Sequence, residues 1–147
     1  MLDTLMNVGA HRIEYFENAL ESKPSAFGFY IRGEKGAKDI YSRDAKYQLY
    51  AGLVLIHEKA AMSNLVGIYV DVDGLENLQR PAYLQFKMDL LSGKFKRVFV
   101  HDETALIGVP AADADVQSLF IETGGFEFIV CRDAECVSID LLTCINR

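Results

Sequence analysis

The chain has 147 residues, of which 50% are hydrophobic and 24% are charged, and its formal net charge is −6. These values are typical of one soluble globular domain and exclude a disordered tail, a collagen-like repeat and a disulfide-rich scaffold. No apolar run, the one at residues 53–56 included, approaches the roughly 18 residues of a membrane span, and the N-terminus shows no signal-peptide pattern. We therefore predict a cytoplasmic protein that does not contact a membrane.

The negative charge lies in the second part of the chain. Residues 1–64 hold 8 basic and 8 acidic side chains, whereas residues 65–147 hold 7 basic and 13 acidic ones. Lysine and arginine supply most of the affinity of a protein for nucleic-acid phosphates. The charge distribution therefore disfavours tight, autonomous DNA binding.

The N-terminal residues predict a helix. Residues 2–22 carry apolar side chains at roughly helical spacing, and Pro24 ends the pattern because proline disfavours a helical residue before it. We expect an N-terminal helical extension over residues 1–25, followed by a single domain over residues 26–147.

The rest of the chain alternates predicted strands with predicted helices. Short aromatic or β-branched runs predict strands at residues 26–32, 65–70, 97–101 and 126–131, with a fifth candidate at 137–142. Three helices lie between the strands. The first follows Ser42, and its inward stripe is Ala45, Leu49, Leu53, Ile56 and Ala60. The second starts at Pro81 with Leu84, Met88 and Leu91 buried, and the third covers residues 111–123 with Val116, Leu119 and Phe120 inward. This order predicts an α/β fold with a mostly parallel sheet of four to five strands, flanked by helices.

Sites in such sheets form at the carboxyl ends of the strands, here residues 32–39, 71–80, 102–110 and 132–135. The glycines of residues 33–36 allow a phosphate cradle of backbone N–H groups or an ordinary turn that needs glycine. The histidines and cysteines lack metal-ligand spacing, so we expect no bound metal, no cofactor and reduced thiols; they are His11, His57, His101, Cys131, Cys136 and Cys144.

Two carboxylates follow the second predicted strand. Asp71, Asp73 and Gly74 resemble the DxDG opening of haloacid-dehalogenase-type phosphotransferases, in which the first carboxylate attacks phosphorus with the help of Mg²⁺. Only 74 residues follow Asp73, and a predicted strand precedes the motif where that family normally begins. A solvated acidic loop is the alternative interpretation.

A distributed pattern carries a second resemblance. The motifs, in chain order, are YIR at residues 30–32, SRDA at 42–45, VGIYVD at 66–71, RP at 80–81, LLSGK at 90–94, VFVHD at 98–102 and GFEFI at 125–129. Their order resembles the catalytic domain of serine site-specific recombinases, the resolvase/invertase family and especially its large-serine branch, over residues 27–137. The resemblance implies a mostly parallel sheet flanked by helices. It also implies a serine beyond the first strand that attacks a DNA phosphodiester, while arginines stabilise the charge on phosphorus.

The positions that the resemblance makes catalytic are only partly kept. Arg32, Arg80 and Asp102 match the family pattern, whereas Glu34 stands in place of the nucleophilic serine. Two further arginines of the pattern are replaced, by Ala105 and Gly108, and Glu103 adds another acid. Loss of even one donor to the transition state typically costs a factor of about 10²–10³ in rate.

The sequence therefore favours a non-catalytic regulatory or assembly protein linked to DNA recombination or mobile elements. Such a protein acts through a protein partner or through self-association. One alternative is a DNA-binding recombinase accessory in which Arg32 and Arg80 contact phosphates. The other is an Mg²⁺-dependent phosphatase that uses Asp71 and Asp73.

Overall fold

A computed structural model describes residues 11–16, 24–33, 43–59, 62–132 and 135–146. Its strands are β1 (His11–Tyr15), β2 (Phe27–Gly33), β3 (Leu65–Val72), β4 (Arg97–Val100), β5 (Glu127–Arg132) and β6 (Glu135–Ile139). Its helices are α1 (Arg43–Lys59), α2 (Pro81–Leu91), α3 (Pro110–Glu122) and α4 (Leu141–Ile145), with short 3₁₀ turns at Met62–Asn64 and Glu103–Ala105. None of the helices in these ranges is long and apolar enough to span a membrane.

The strands form one mixed sheet in the order β1-β3-β2-β4-β5-β6. The four central strands run parallel, and the two edge strands β1 and β6 run antiparallel to their neighbours. The predicted α/β fold is confirmed. Within the described residues the sheet has six strands, however, and it is mixed, whereas four to five mostly parallel strands were predicted.

Strand β1 replaces part of the helix predicted over residues 2–22. His11–Tyr15 pairs antiparallel with β3, so the helical prediction is wrong for these residues. Side chains alternate along β1 as in a strand: Ile13 packs on the core, whereas Arg12 and Glu14 lie on the other face and form an ion pair. A charged pair on an edge strand disfavours pairing with further strands. Residues 1–10 and 17–23 of the predicted extension lie outside the described residues.

Helices cover both faces of the sheet. Helix α1 packs on a cluster of buried side chains from the central strands, among them Phe27, Phe29, Ile31, Ile68, Val70, Phe99 and Ile129. The opposite face lies under α2, α3 and α4, with a core that includes Tyr30, Tyr69, Phe86, Phe95, Val98 and Val116. The predicted inward residues of α1 are buried or half-buried as far as Ile56; Ala60 lies outside the described residues.

The buried side of α2 differs from the prediction. Met88 and Leu91 are 62% and 48% exposed, and Leu84 is half-buried. The helix buries Tyr83 and Asp89 together with Ala82, Phe86 and Leu90. Because the polar tips of Tyr83 and Asp89 have partners inside the protein, the helix turns a partly polar side inward. In α3 the predicted inward residues Val116 and Leu119 are buried, and Phe120 is half-buried.

The last predicted strand is displaced. Strand β6 ends at Ile139, and the residues after it form α4 instead of continuing to residue 142. Asp140 begins this helix, because its carboxylate accepts a hydrogen bond from the backbone N–H of Thr143 at 3.3 Å. The segment at residues 132–135 therefore joins two antiparallel strands.

Candidate functional site

The carboxyl ends of β2, β3 and β4 meet at one edge of the sheet. The chain passes from β2 to β3 on one side and then returns to β4 on the other side of β2. Doubly wound sheets bind ligands at such a switch point, because the loops diverge there and leave a crevice. We call this region the carboxyl edge; five residues singled out by the sequence lie on it, namely Arg32, Asp71, Asp73, Arg80 and Asp102.

Asp71 is 1% exposed and lies against the start of α2. Its Oδ1 accepts from the N–H of Ala82 at 2.9 Å, and its Oδ2 accepts from the N–H of Tyr83 at 2.8 Å and the hydroxyl of Tyr30 at 2.7 Å. A carboxylate here satisfies helix amides that have no partner within the helix and lies at the positive end of the helix dipole. Burial raises the pKa of Asp71, and these hydrogen bonds oppose the rise. Asp71 thus fixes α2 to β3.

Arg80 is fully buried immediately before α2. Its Nε donates to the Tyr30 hydroxyl at 3.0 Å, and its Nη1 donates to the carbonyls of Leu75 and Asn77 at 3.0 and 2.9 Å. The Nε also lies 3.9 Å from Oδ2 of Asp71. Nη2 is buried with no hydrogen-bond partner among the described residues. The guanidinium therefore balances the buried carboxylate and holds the loop after β3.

Arg32 is half-buried at the end of β2 and joins two loops. Its Nε and Nη2 donate to the carbonyl of Thr104 at 3.3 and 3.0 Å, and its Nη1 donates to the carbonyl of Asp73 at 3.0 Å. The Asp73 carboxylate in turn accepts from the N–H of Gly74 and the side chain of Asn77, both at 2.7 Å. The loops after β3 and β4 are thus tied to β2.

The loop after β4 starts with a 3₁₀ turn. Asp102 begins the turn, since its Oδ1 accepts from the N–H and the hydroxyl of Thr104 at 3.0 and 2.9 Å. Ala105 is 3% exposed, and Gly108 has a φ of +139°, a backbone conformation that residues with a side chain rarely adopt. Neither of these two positions, where the resemblance expects arginines, is therefore shaped for a long side chain.

Other predicted site residues lie elsewhere. Glu34 and the rest of the glycine turn after Gly33 lie outside the described residues, and Gly33 itself is the last residue of β2. His57 is on the exposed side of α1, whereas the ring of His101 lies 5.1 Å from that of Tyr47. In the described part of the chain, no group of three or more His, Cys, Asp or Glu side chains is placed to hold a metal ion.

The sequence reasoning missed a second buried polar cluster at Asp89. This residue is 2% exposed and accepts from the hydroxyls of Tyr15 at 2.5 Å and Tyr69 at 2.6 Å and from the side chain of Gln85 at 2.9 Å. Burial favours a higher pKa for Asp89, but the hydrogen bonds and the charge of Lys94 together lower it. Burial beside this carboxylate raises the pKa of Tyr15 to about 12 and that of Tyr69 further. Strand alternation places Tyr69 on the same face of β3 as Asp71, but no local pattern in α2 indicated that Asp89 is buried.

Fold and geometry place the chain in a broad class, α/β domains with a doubly wound parallel core and a polar carboxyl edge. A scan against protein-family models gives no match, and searches of curated proteins and of solved structures give no significant match.

Proposed function

We propose that the protein is a non-catalytic, recombinase-like domain that regulates or assembles with DNA-recombination machinery through protein contacts. The observation that carries this proposal is the use made of Arg32 and Arg80, the two arginines kept from the family pattern. Arg80 is fully buried, and its bonded donors point to Tyr30 and to backbone carbonyls. Arg32 directs three N–H groups to the carbonyls of Asp73 and Thr104.

Phosphoryl transfer requires donors that point at the phosphate oxygens of the transition state. A donor already bound to a loop carbonyl must give up that bond before it can stabilise phosphate charge. The acids of the edge add a further cost, because Asp102 is exposed beside Thr104, where Arg32 is anchored. The geometry at Ala105 and Gly108 supports the same conclusion, since neither backbone position suits the missing arginines.

A DNA-adduct and DNA-binding experiment tests the proposal. We expect no covalent adduct with nicked or suicide duplex DNA, and we expect Arg32→Gln and Arg97→Gln to bind duplex DNA equally weakly at low salt. Arg97 is the matched control, because it is half-buried at the opposite end of the sheet and bound to Glu127 at 3.0 Å. Loss of DNA affinity by tenfold or more in Arg32→Gln alone would favour the DNA-accessory alternative, and a covalent adduct would refute a non-catalytic role.

The outer side of α1 supports a role in protein contacts. Tyr47, Tyr50 and Val54 are 63%, 63% and 55% exposed, and with exposed His57 they have the 3-4-3 spacing by which one helix packs on another. We expect this seam to pair with the same seam of a second copy of the chain.

Sedimentation equilibrium tests this pairing. We expect Val54→Lys to weaken self-association at least tenfold. The control is Ile121→Lys on α3, where the side chain is 67% exposed, and it should leave self-association unchanged. A wild-type protein that stays monomeric at the highest concentration would reject pairing through α1.

A further inference from the structure

Two of the cysteines face each other across the β5–β6 hairpin. Cys131 and Cys136 are direct partners in the antiparallel register, and both pack on the face of the sheet that α1 covers. Opposed residues of antiparallel strands have Cα atoms about 4.5–5.5 Å apart, within the roughly 4.4–6.8 Å range of disulfides. The Cys136 side chain is close enough to raise the pKa of the Cys131 thiol. The folded hairpin thus creates a dithiol that the spacing in the sequence does not indicate.

The two thiols differ in access to solvent. Cys131 is 7% exposed, whereas Cys136 is half-buried and lines a cavity of about 160 Å³ together with Phe27 and Phe99. Burial and the neighbouring Cys136 raise the pKa of the Cys131 thiol to about 12. The thiolate is the reactive form, so the raised pKa makes Cys131 the less reactive thiol. Cys136 is the more exposed of the two, so it is the thiol that a dissolved oxidant meets first.

We propose that Cys131 and Cys136 form a reversible dithiol–disulfide site that low-molecular-weight disulfides such as oxidised glutathione modify. The Cys136 thiolate attacks one sulfur of oxidised glutathione and releases one glutathione thiolate, which takes up the proton that Cys136 lost. The Cys131 sulfur then attacks the Cys136 sulfur of the mixed disulfide, and the second glutathione leaves with the Cys131 proton. Two protein thiols are thereby oxidised, while one oxidised glutathione is reduced to two thiols.

Cys144 is an internal control. It lies on α4, on the other side of the sheet, and its thiol donates to Oε2 of Glu103 at 3.1 Å. A reaction that depended only on the presence of a thiol would include Cys144. A reaction that depends on the hairpin register leaves Cys144 reduced.

The test equilibrates the full chain in glutathione redox buffers, alkylates the remaining thiols and maps the products by peptide mass spectrometry. Wild type and Cys144→Ser should both yield a peptide linked between Cys131 and Cys136, in proportions that follow the redox buffer. Cys136→Ser should abolish the link. Cys131→Ala should accumulate glutathione on Cys136, because the resolving thiol is absent.

Three outcomes would overturn the proposal. They are three alkylated thiols in wild type after exposure to oxidised glutathione, a stable mixed disulfide on wild-type Cys136, and a disulfide that involves Cys144. The wild-type measurement needs no substitution, so its result does not depend on whether a variant folds.

Discussion

Substitution of Asp71 by asparagine tests whether this carboxylate holds the fold together. An amide keeps one acceptor oxygen and turns the other acceptor into a donor. If the amide oxygen stays with Tyr83 and Tyr30, the new NH₂ group faces the buried N–H of Ala82. The reverse rotamer places the NH₂ group against two donors, the N–H of Tyr83 and the hydroxyl of Tyr30. The Tyr30 hydroxyl acts as a donor here because its oxygen already accepts from Arg80.

The magnitude follows from these contacts. A hydrogen bond to a charged group contributes about 1.5–3 kcal/mol, and a buried unsatisfied N–H costs about 1–3 kcal/mol. Removal of one partner of a buried ion pair costs about 3–5 kcal/mol, and Arg80 is fully buried 3.9 Å from Asp71. We therefore expect Asp71→Asn to lower the free energy of unfolding by about 3–5 kcal/mol.

Urea unfolding followed by far-ultraviolet circular dichroism measures this change at pH 7. Asp73→Asn is the matched control. The Asp73 carboxylate is half-buried and, among the described residues, accepts hydrogen bonds only from its own loop. We expect the control to lose about 0.5–1.5 kcal/mol. A loss below about 1 kcal/mol in Asp71→Asn, or equal losses in the two variants, would refute the account of Asp71 as the residue that fixes α2.

Three further predictions concern the buried polar groups and the packing of α1 on β2. Asp89→Asn should lower the free energy of unfolding by about 2–3 kcal/mol at pH 7. Because the pKa of Asp89 is lowered in the folded protein, its carboxylate stabilises the fold only while it is ionised, so the difference from wild type should shrink as the pH drops below 3.8. The pKa values of the buried phenols of Tyr30, Tyr69 and Tyr83 are raised in the folded protein, so these groups ionise at lower pH in the unfolded chain. Above pH 10 the free energy of unfolding should therefore fall by up to about 4 kcal/mol per pH unit. Absorbance at about 295 nm follows the ionisation, and denaturant curves measure the loss of stability. Gly52→Ala should lower the free energy of unfolding by about 1–3 kcal/mol, because the new Cβ would overlap the Phe29 ring. Thermal unfolding measures this loss, and an unchanged melting temperature contradicts this packing.

Local patterns predicted the parallel core and the inward sides of α1 and α3. These elements bury regular apolar stripes, so periodicity in the sequence is sufficient to find them. The edge strands were harder to predict. β1 and β6 are each five residues long. β1 depends on pairing with β3, and β6 depends on pairing with β5, and no local pattern in the sequence records either pairing. The inward side of α2 was mispredicted because Asp89 and Tyr83 are buried with partners that lie far away in the chain.

The carboxyl-edge residues were found by sequence reasoning, but their contacts were not. Arg32 and Arg80 were selected because they match the serine-recombinase pattern, and Asp71 because it opens a DxDG motif. The contacts depend on the register of β2 against β3, which pairs Arg32 with Asp71, and on the position of Asp71 at the start of α2. Both features depend on tertiary structure and cannot be predicted from local sequence. The sequence therefore suggested chemistry for residues whose side chains form internal hydrogen bonds in the fold.

The use of arginine at this edge has a physical explanation that does not require catalysis. Loop carbonyls near a sheet edge have no ladder partner, and buried backbone acceptors need donors. Arginine offers five N–H groups in a planar arrangement, more than any other side chain, so one residue can satisfy carbonyls from two loops. Arg32 does this for Asp73 and Thr104, whereas Arg80 satisfies two carbonyls of one loop, those of Leu75 and Asn77. Substitution of Arg32 or Arg80 should therefore lower stability even where no DNA is bound, because it would release the loop carbonyls that these side chains hold.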